Sequence, residues 1–81
     1  MTFEMTTIYI RLLDEGTEVF RPTSAEPAGD GLFKVLPTSN YNPQDEKWEF
    51  VPGSLVKCVN RKLEGEEALV AVNAHYDAPL K

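Results

Sequence analysis

The side chains that could perform covalent or metal chemistry in this chain are few and scattered. There is one cysteine, Cys58, and one histidine, His75. A transition-metal site needs several nitrogen or sulfur ligands at close spacing, and that pattern does not occur. Cys58 stands among Leu55, Val56 and Val59. There it reads as a small buried hydrophobe, with no neighbouring base to activate it. Asp14-Glu15 and Asp45-Glu46 are adjacent carboxylates outside any calcium-loop pattern, and they read as solvated turn acids. Ser24, Ser39 and Ser54 have no nucleophile elbow around them. Gly29-Asp30-Gly31 lacks the lysine, the spacing and the following helix of a phosphate-binding loop. The sequence therefore predicts no catalytic residue, no cofactor and no metal site, in a protein that is not an enzyme. An enzyme or ligand carrier would need a deep pocket holding titratable groups, and so short a chain has little room for one.

Non-covalent chemistry is better represented. Most acids, among them Glu15, Asp30, Glu64 and Glu66, cluster at predicted turns. Arg11, Arg21, Lys34, Lys57 and Arg61 fall inside predicted strands. Strand residues of one parity share a face, so some of these bases can form a positive patch for an acidic peptide or a single-stranded nucleic acid. The plainer expectation is that each pairs across strands with Glu18, Glu49 or Glu67, at roughly 0.2–1 kcal/mol per pair. Aromatics offer a second surface: Tyr9, Tyr41, Trp48 and Tyr76 have polar handles of the kind common at interfaces. Trp48 shares parity with Phe50 and is expected in the core. For Tyr9 and Tyr41, packing and partner contact are equally open. The candidate partner-binding residues are Tyr9, Arg11, Arg21, Tyr41, Lys57 and Arg61.

The elements that position these residues are short apolar alternations closed by glycine turns. Such a period of two between turns signals antiparallel strands. The first strand spans 6–13, with Ile8, Ile10 and Leu12 on one face. Asp14-Glu15-Gly16 closes a hairpin to a second strand starting at Glu18. Pro22 cannot donate to a ladder, so that strand is expected to bend there or lie on an edge, with an irregular continuation over 23–28. A third strand runs over 32–36. The polar interval 38–47 contains Asn42-Pro43-Gln44-Asp45-Glu46, the grammar of one helical turn with Asn42 as cap. A fourth strand is expected over 47–51, then Pro52-Gly53, a fifth over 55–63 and a sixth over 68–73. Residues 1–5 read as a flexible lead-in and 74–81 as a flexible tail around one domain.

Size and composition agree with this. Eighty-one residues make one domain with a modest core. The 42% hydrophobic and 26% charged fractions are those of a soluble globular protein. The net charge of -5 disfavours duplex nucleic acid and anionic membranes as partners. The first residues lack a basic start and an apolar run, so no signal peptide is expected. No stretch approaches a membrane span, and a cytoplasmic location is expected. Five or six short strands cannot leave both sheet edges open without inviting aggregation. The expected fold is all-β: a small, partly open antiparallel β-barrel of five to six short strands. Its predicted core is Ile8, Ile10, Val19, Phe33, Val35, Phe50, Val56, Cys58, Val70 and Val72.

The strand order, the Pro52-Gly53 turn after Trp48-Glu49-Phe50 and the hairpin beyond it resemble a Src-homology-3-type (SH3-like) barrel. The run from Tyr9 to Pro22, with Trp48 to Cys58, also resembles a group of small stand-alone bacterial proteins without assigned function. The likeness spans about residues 7–73 and implies a fold, but it brings no site residues. The paired-tyrosine motif and the long acidic first loop of peptide-binding barrels are missing, so proline-rich ligands are not implied. The expected function is a non-enzymatic protein-interaction module docking through an exposed strand edge and the 38–47 loop. Its partner would be another protein or a second copy of itself. The alternative is a small acidic inhibitor of a bacterial or phage system, whose acidic turns imitate a nucleic-acid backbone.

Overall fold

The computed structural model describes residues 5–74. The candidates His75 and Tyr76, and residues 75–81 of the expected tail, lie outside that range. Five strands form a closed barrel: β1 (Thr6–Arg11), β2 (Phe20–Gly29), β3 (Leu32–Val35), β4 (Leu55–Leu63) and β5 (Glu66–Ala74). Neighbours in the chain pair antiparallel. β1 and β5 close the ring in parallel at Tyr9↔Val70. The barrel is therefore closed and mixed rather than partly open and antiparallel. The closure removes the edge that an open ring would leave to solvent.

Two tight turns shape the ribbons. Glu64-Gly65 joins β4 to β5, and both residues have positive φ (53° and 86°). Asp30-Gly31 joins β2 to β3 with φ of 57° and 75°. Positive φ at both central residues is the requirement of a type I′ turn, whose twist matches that of the strands it connects. Two bulges add curvature. Ala28 is the extra residue where Pro27↔Phe33 gives way to Gly29↔Leu32. Val72 is the extra residue where Cys58↔Ala71 gives way to Lys57↔Asn73.

The core follows from the alternation in β1. Ile8, Ile10 and Leu12 turn inward and meet Ala25, Val35, Val56 and Ala71. Val19, Phe33, Phe50 and Cys58 are half-buried around this cluster, and Val70 is buried outside it. Val72 departs from the prediction. It is 37% exposed, because the bulge displaces it from the inward row and Ala71 takes the place.

Two expected elements also differ. The strand over 47–51 does not form: Trp48 makes a single bridge with Leu12, flanked by Leu13 N–H to Lys47 O (2.7 Å) and Glu49 N–H to Arg11 O (2.9 Å). The chain crosses the end of the barrel there, with Trp48 as a buried plug at 3% exposure. β2 continues through Pro22, which lies on an edge as one of the two expected alternatives, and the irregular continuation over 23–28 is instead paired strand with a bulge at Ala28. Ser24 accepts from Leu36 N–H on the side away from β1. Pro22, two residues earlier, points its nitrogen to that same side, where no strand needs a donor.

Candidate functional site

β3 is four residues long and lies between strands of ten and nine. It covers Ala25–Gly29 of β2 and Leu55–Lys57 of β4. Two half-edges therefore remain inside a closed ring: the start of β2 and the far part of β4, Cys58–Leu63.

The β2 half-edge is strapped by side-chain contacts. The Thr23 hydroxyl donates to Leu36 O, and Arg21 forms an ion pair with Glu46. Glu46 also accepts from the Trp48 indole N–H at 2.9 Å, and Tyr41 stands edge-on to Trp48 with ring centroids 4.8 Å apart. Asn42 starts the turn that brings Glu46 here: its carbonyl accepts from Asp45 and Glu46 N–H, and its side chain from Gln44 N–H. The indole bond, then the Arg21 contact, hold the Glu46 carboxyl below its ordinary pKa. This node straps the 38–47 segment across the end of the barrel.

The β4 half-edge is bare. In the two-residue hairpin, Leu63 and Glu66 flank the turn, so residues of Leu63's parity bond to β5. Ser54 O accepts from Val35 N–H, which fixes the same alternation from the other end. Cys58, Asn60 and Lys62 thus present N–H and C=O outward. Among the described residues, no backbone group pairs with them on that side. The side chains along this stretch are exposed at Val59, Asn60, Arg61 and Lys62. Cys58 is half-buried against the core, and desolvation raises its thiol pKa to about 11, which favours the protonated thiol.

The end of the β4–β5 hairpin, with Tyr9 and residues 18–20, lines a half-open cleft of about 660 Å³. Tyr9, Val19, Phe20, Leu63 and Ala68 form its apolar part, and Glu18, Arg61, Lys62, Glu64, Glu66 and Glu67 its charged part. Arg61 sits over the Phe20 ring at 5.9 Å.

The predicted partner-binding residues separate into groups. Tyr9 and Arg61 meet at the cleft, and Arg11 faces Phe20 across the β1–β2 ladder. Arg21 and Tyr41 belong to the Trp48 node. Lys57 lies where β4 leaves β3, opposite Leu32 and Asn73. The one ion pair among the described residues uses Glu46 and none of the three acids expected from the sequence. A buried indole N–H needs an acceptor, and that was the available signal for Glu46, two residues before Trp48.

Among the described residues no three His, Cys, Asp or Glu side chains gather as a metal site would require, and no helix is long and apolar enough to cross a membrane. These features define a small all-β barrel of five strands, consistent with an SH3-like fold, with one guarded and one open half-edge. No protein family, curated protein or solved structure matches the chain.

Proposed function

We propose that the chain is a non-enzymatic protein-interaction module that docks through the exposed strand edge Cys58–Leu63. The observation that carries this reading is the outward row of backbone groups at Cys58, Asn60 and Lys62, unpaired among the described residues. An extended partner segment can satisfy such a row by β-augmentation, which supplies affinity through main-chain hydrogen bonds. The 38–47 loop supports the reading less directly: its tyrosine packs on Trp48, leaving the polar rim of Ser39, Asn40, Gln44 and Asp45 exposed.

The test is a photo-crosslinking residue at Asn60, compared with one at Pro27 on the β2–β3 bulge. Partner adducts should form at 60 and not at 27. Amide exchange of the purified complex should then slow at Asn60 and Lys62. Adducts at both positions, or none at 60, would refute docking at this edge.

A further inference from the structure

We infer that the free half of β4 accepts an acidic, extended polypeptide segment as a sixth strand. The inference rests on the edge being the docking surface and specifies what that edge selects. β4 reads Leu-Val-Lys-Cys-Val-Asn-Arg-Lys-Leu over 55–63, with three bases and no acid. In a sheet, residues directly opposite interact most strongly, and opposite charges there are favourable. Across the β5 ladder Lys62 faces Glu67, while Arg61 faces Ala68. Arg61 forms no ion pair among the described residues. Its contact with Phe20, at 5.9 Å, stands at the outer limit of a cation–π pair and leaves the side chain exposed. Val59 shares the face of Arg61 and is 43% exposed, although it lies in the middle of a strand.

A second copy of the chain fits this edge poorly. Antiparallel self-pairing through the outward groups, Asn60 against Lys62, sets Arg61 directly opposite the Arg61 of the other copy, with no acid from either β4 to separate them. Like charges opposite one another are destabilising, and charged edges are a common device against such pairing. The same bases that repel a copy attract an acidic strand. Glu18, Glu64, Glu66 and Glu67 line the cleft beside Arg61 and Lys62, but they lie on β5, its turn and the residues just before β2, and none lies on β4. The rest of the net charge of -5 is screened by physiological salt beyond about 8 Å. The register then specifies a pattern. Acids stand opposite Arg61 and Lys62, and an apolar residue opposite Val59. Read in one direction, the segment is acid–acid–any–apolar.

The probe is a labelled peptide, Thr-Glu-Glu-Thr-Val-Thr, together with its reverse sequence to allow either strand direction. Analogues with Lys-Lys or Thr-Thr replace the acids. Anisotropy is read with the full chain at physiological salt, and amide exchange maps the contact. A Glu-Glu peptide is expected to bind about tenfold tighter than its Lys-Lys analogue and to protect Asn60 and Lys62. The Arg61→Glu, Lys62→Glu double variant, checked for fold by circular dichroism, should reverse that order. If the Lys-Lys or Thr-Thr peptide protects the same amides equally well, acid selection is wrong and edge docking stands. If no peptide protects them and the Asn60 crosslinker captures nothing, both readings fall. Protection that grows with protein concentration alone would identify the occupant as a second copy and overturn the inference.

Discussion

The two half-edges of this barrel arise from one cause and are treated in opposite ways. A four-residue β3 cannot cover two longer strands, so each keeps a stretch with one side unpaired. On β2 that stretch carries Pro22, whose nitrogen needs no partner, and it is tied down by Thr23–Leu36 and Arg21–Glu46 contacts. On β4 the backbone groups of Cys58, Asn60 and Lys62 face outward beneath exposed side chains, with nothing described packed across them. The first edge is strapped by the contacts of Thr23 and Arg21 and carries a proline that offers no donor. On the second, only the charges of Arg61 and Lys62 stand at the edge, and in the proposed reading they select the partner. On that reading, edge protection and partner selection are two outcomes of the same geometric deficit.

The largest way to break this comparison is to remove the plug behind the guarded edge. Trp48→Ala empties a fully packed site at the barrel end and deprives Tyr41 and Glu46 of their partner. Burial of this size implies a loss of about 3–5 kcal/mol in urea unfolding. With the strap released, the start of β2 should also lose amide protection before β4 does. Equal loss of protection over the whole barrel would show that the strap is no separate guard.

Next in size is the turn that holds the open edge in place. At Gly65, φ is +86°, and an added Cβ would meet nothing within 4 Å. Gly65→Ala therefore tests the backbone conformation alone, at a cost of about 1–2 kcal/mol. The change should raise exchange along the end of the β4–β5 hairpin and leave the Trp48 node unchanged. A cost near zero would argue that the turn is not I′-like.

A smaller effect belongs to Glu46, and it carries a pH signature. The Trp48 indole bond and then Arg21 lower its pKa in the folded state. A carboxyl with a depressed folded pKa stabilises above its unfolded value, and that contribution is lost as pH falls through the folded value. Stability should therefore decline as pH drops from about 4.5, the ordinary carboxyl value, toward more acid conditions. Glu46→Gln should lose about 1 kcal/mol at neutral pH and remove that part of the decline. An unchanged acid limb in the variant would take Glu46 out of the guard.

Much of the barrel can be read from local pattern. Ile8, Ile10 and Leu12 alternate inward in β1. Glu64-Gly65 turns as its residue types require. Asn42 starts the expected single turn, and Trp48 packs inside. The failures share a physical origin. Trp48-Glu49-Phe50 alternates equally well as a strand or as a plug with one bridge, because inward packing alone does not determine laddering. The run Leu69-Val70-Ala71-Val72 has no period, so nothing local marks Val72 as the extra residue. Arg21 meets Glu46 across 25 residues, a distance no spacing rule reaches. The six candidate contact residues could be chosen by type. Which of them border an open edge depends on the lengths of β3 and β4 relative to each other, and that is decided only in three dimensions.

The smallest effect on stability gives the sharpest comparison. Arg61→Thr with Lys62→Thr alters exposed side chains on β4 and retains good strand residues, so unfolding free energy should move by less than about 0.5 kcal/mol. The backbone row at Cys58, Asn60 and Lys62 stays as it was, but without the charge proposed to keep copies apart. Sedimentation should then show association increasing with concentration, and the amides at 60 and 62 should become protected as it does. The matching change on the other edge, Pro22→Thr, restores a donor there, yet the Thr38–Trp48 strap still lies across that end of the barrel. It should therefore leave the sedimentation profile unchanged. If both variants associate alike, or neither does, the two half-edges are equivalent and the distinction between closure by structure and closure by charge is wrong.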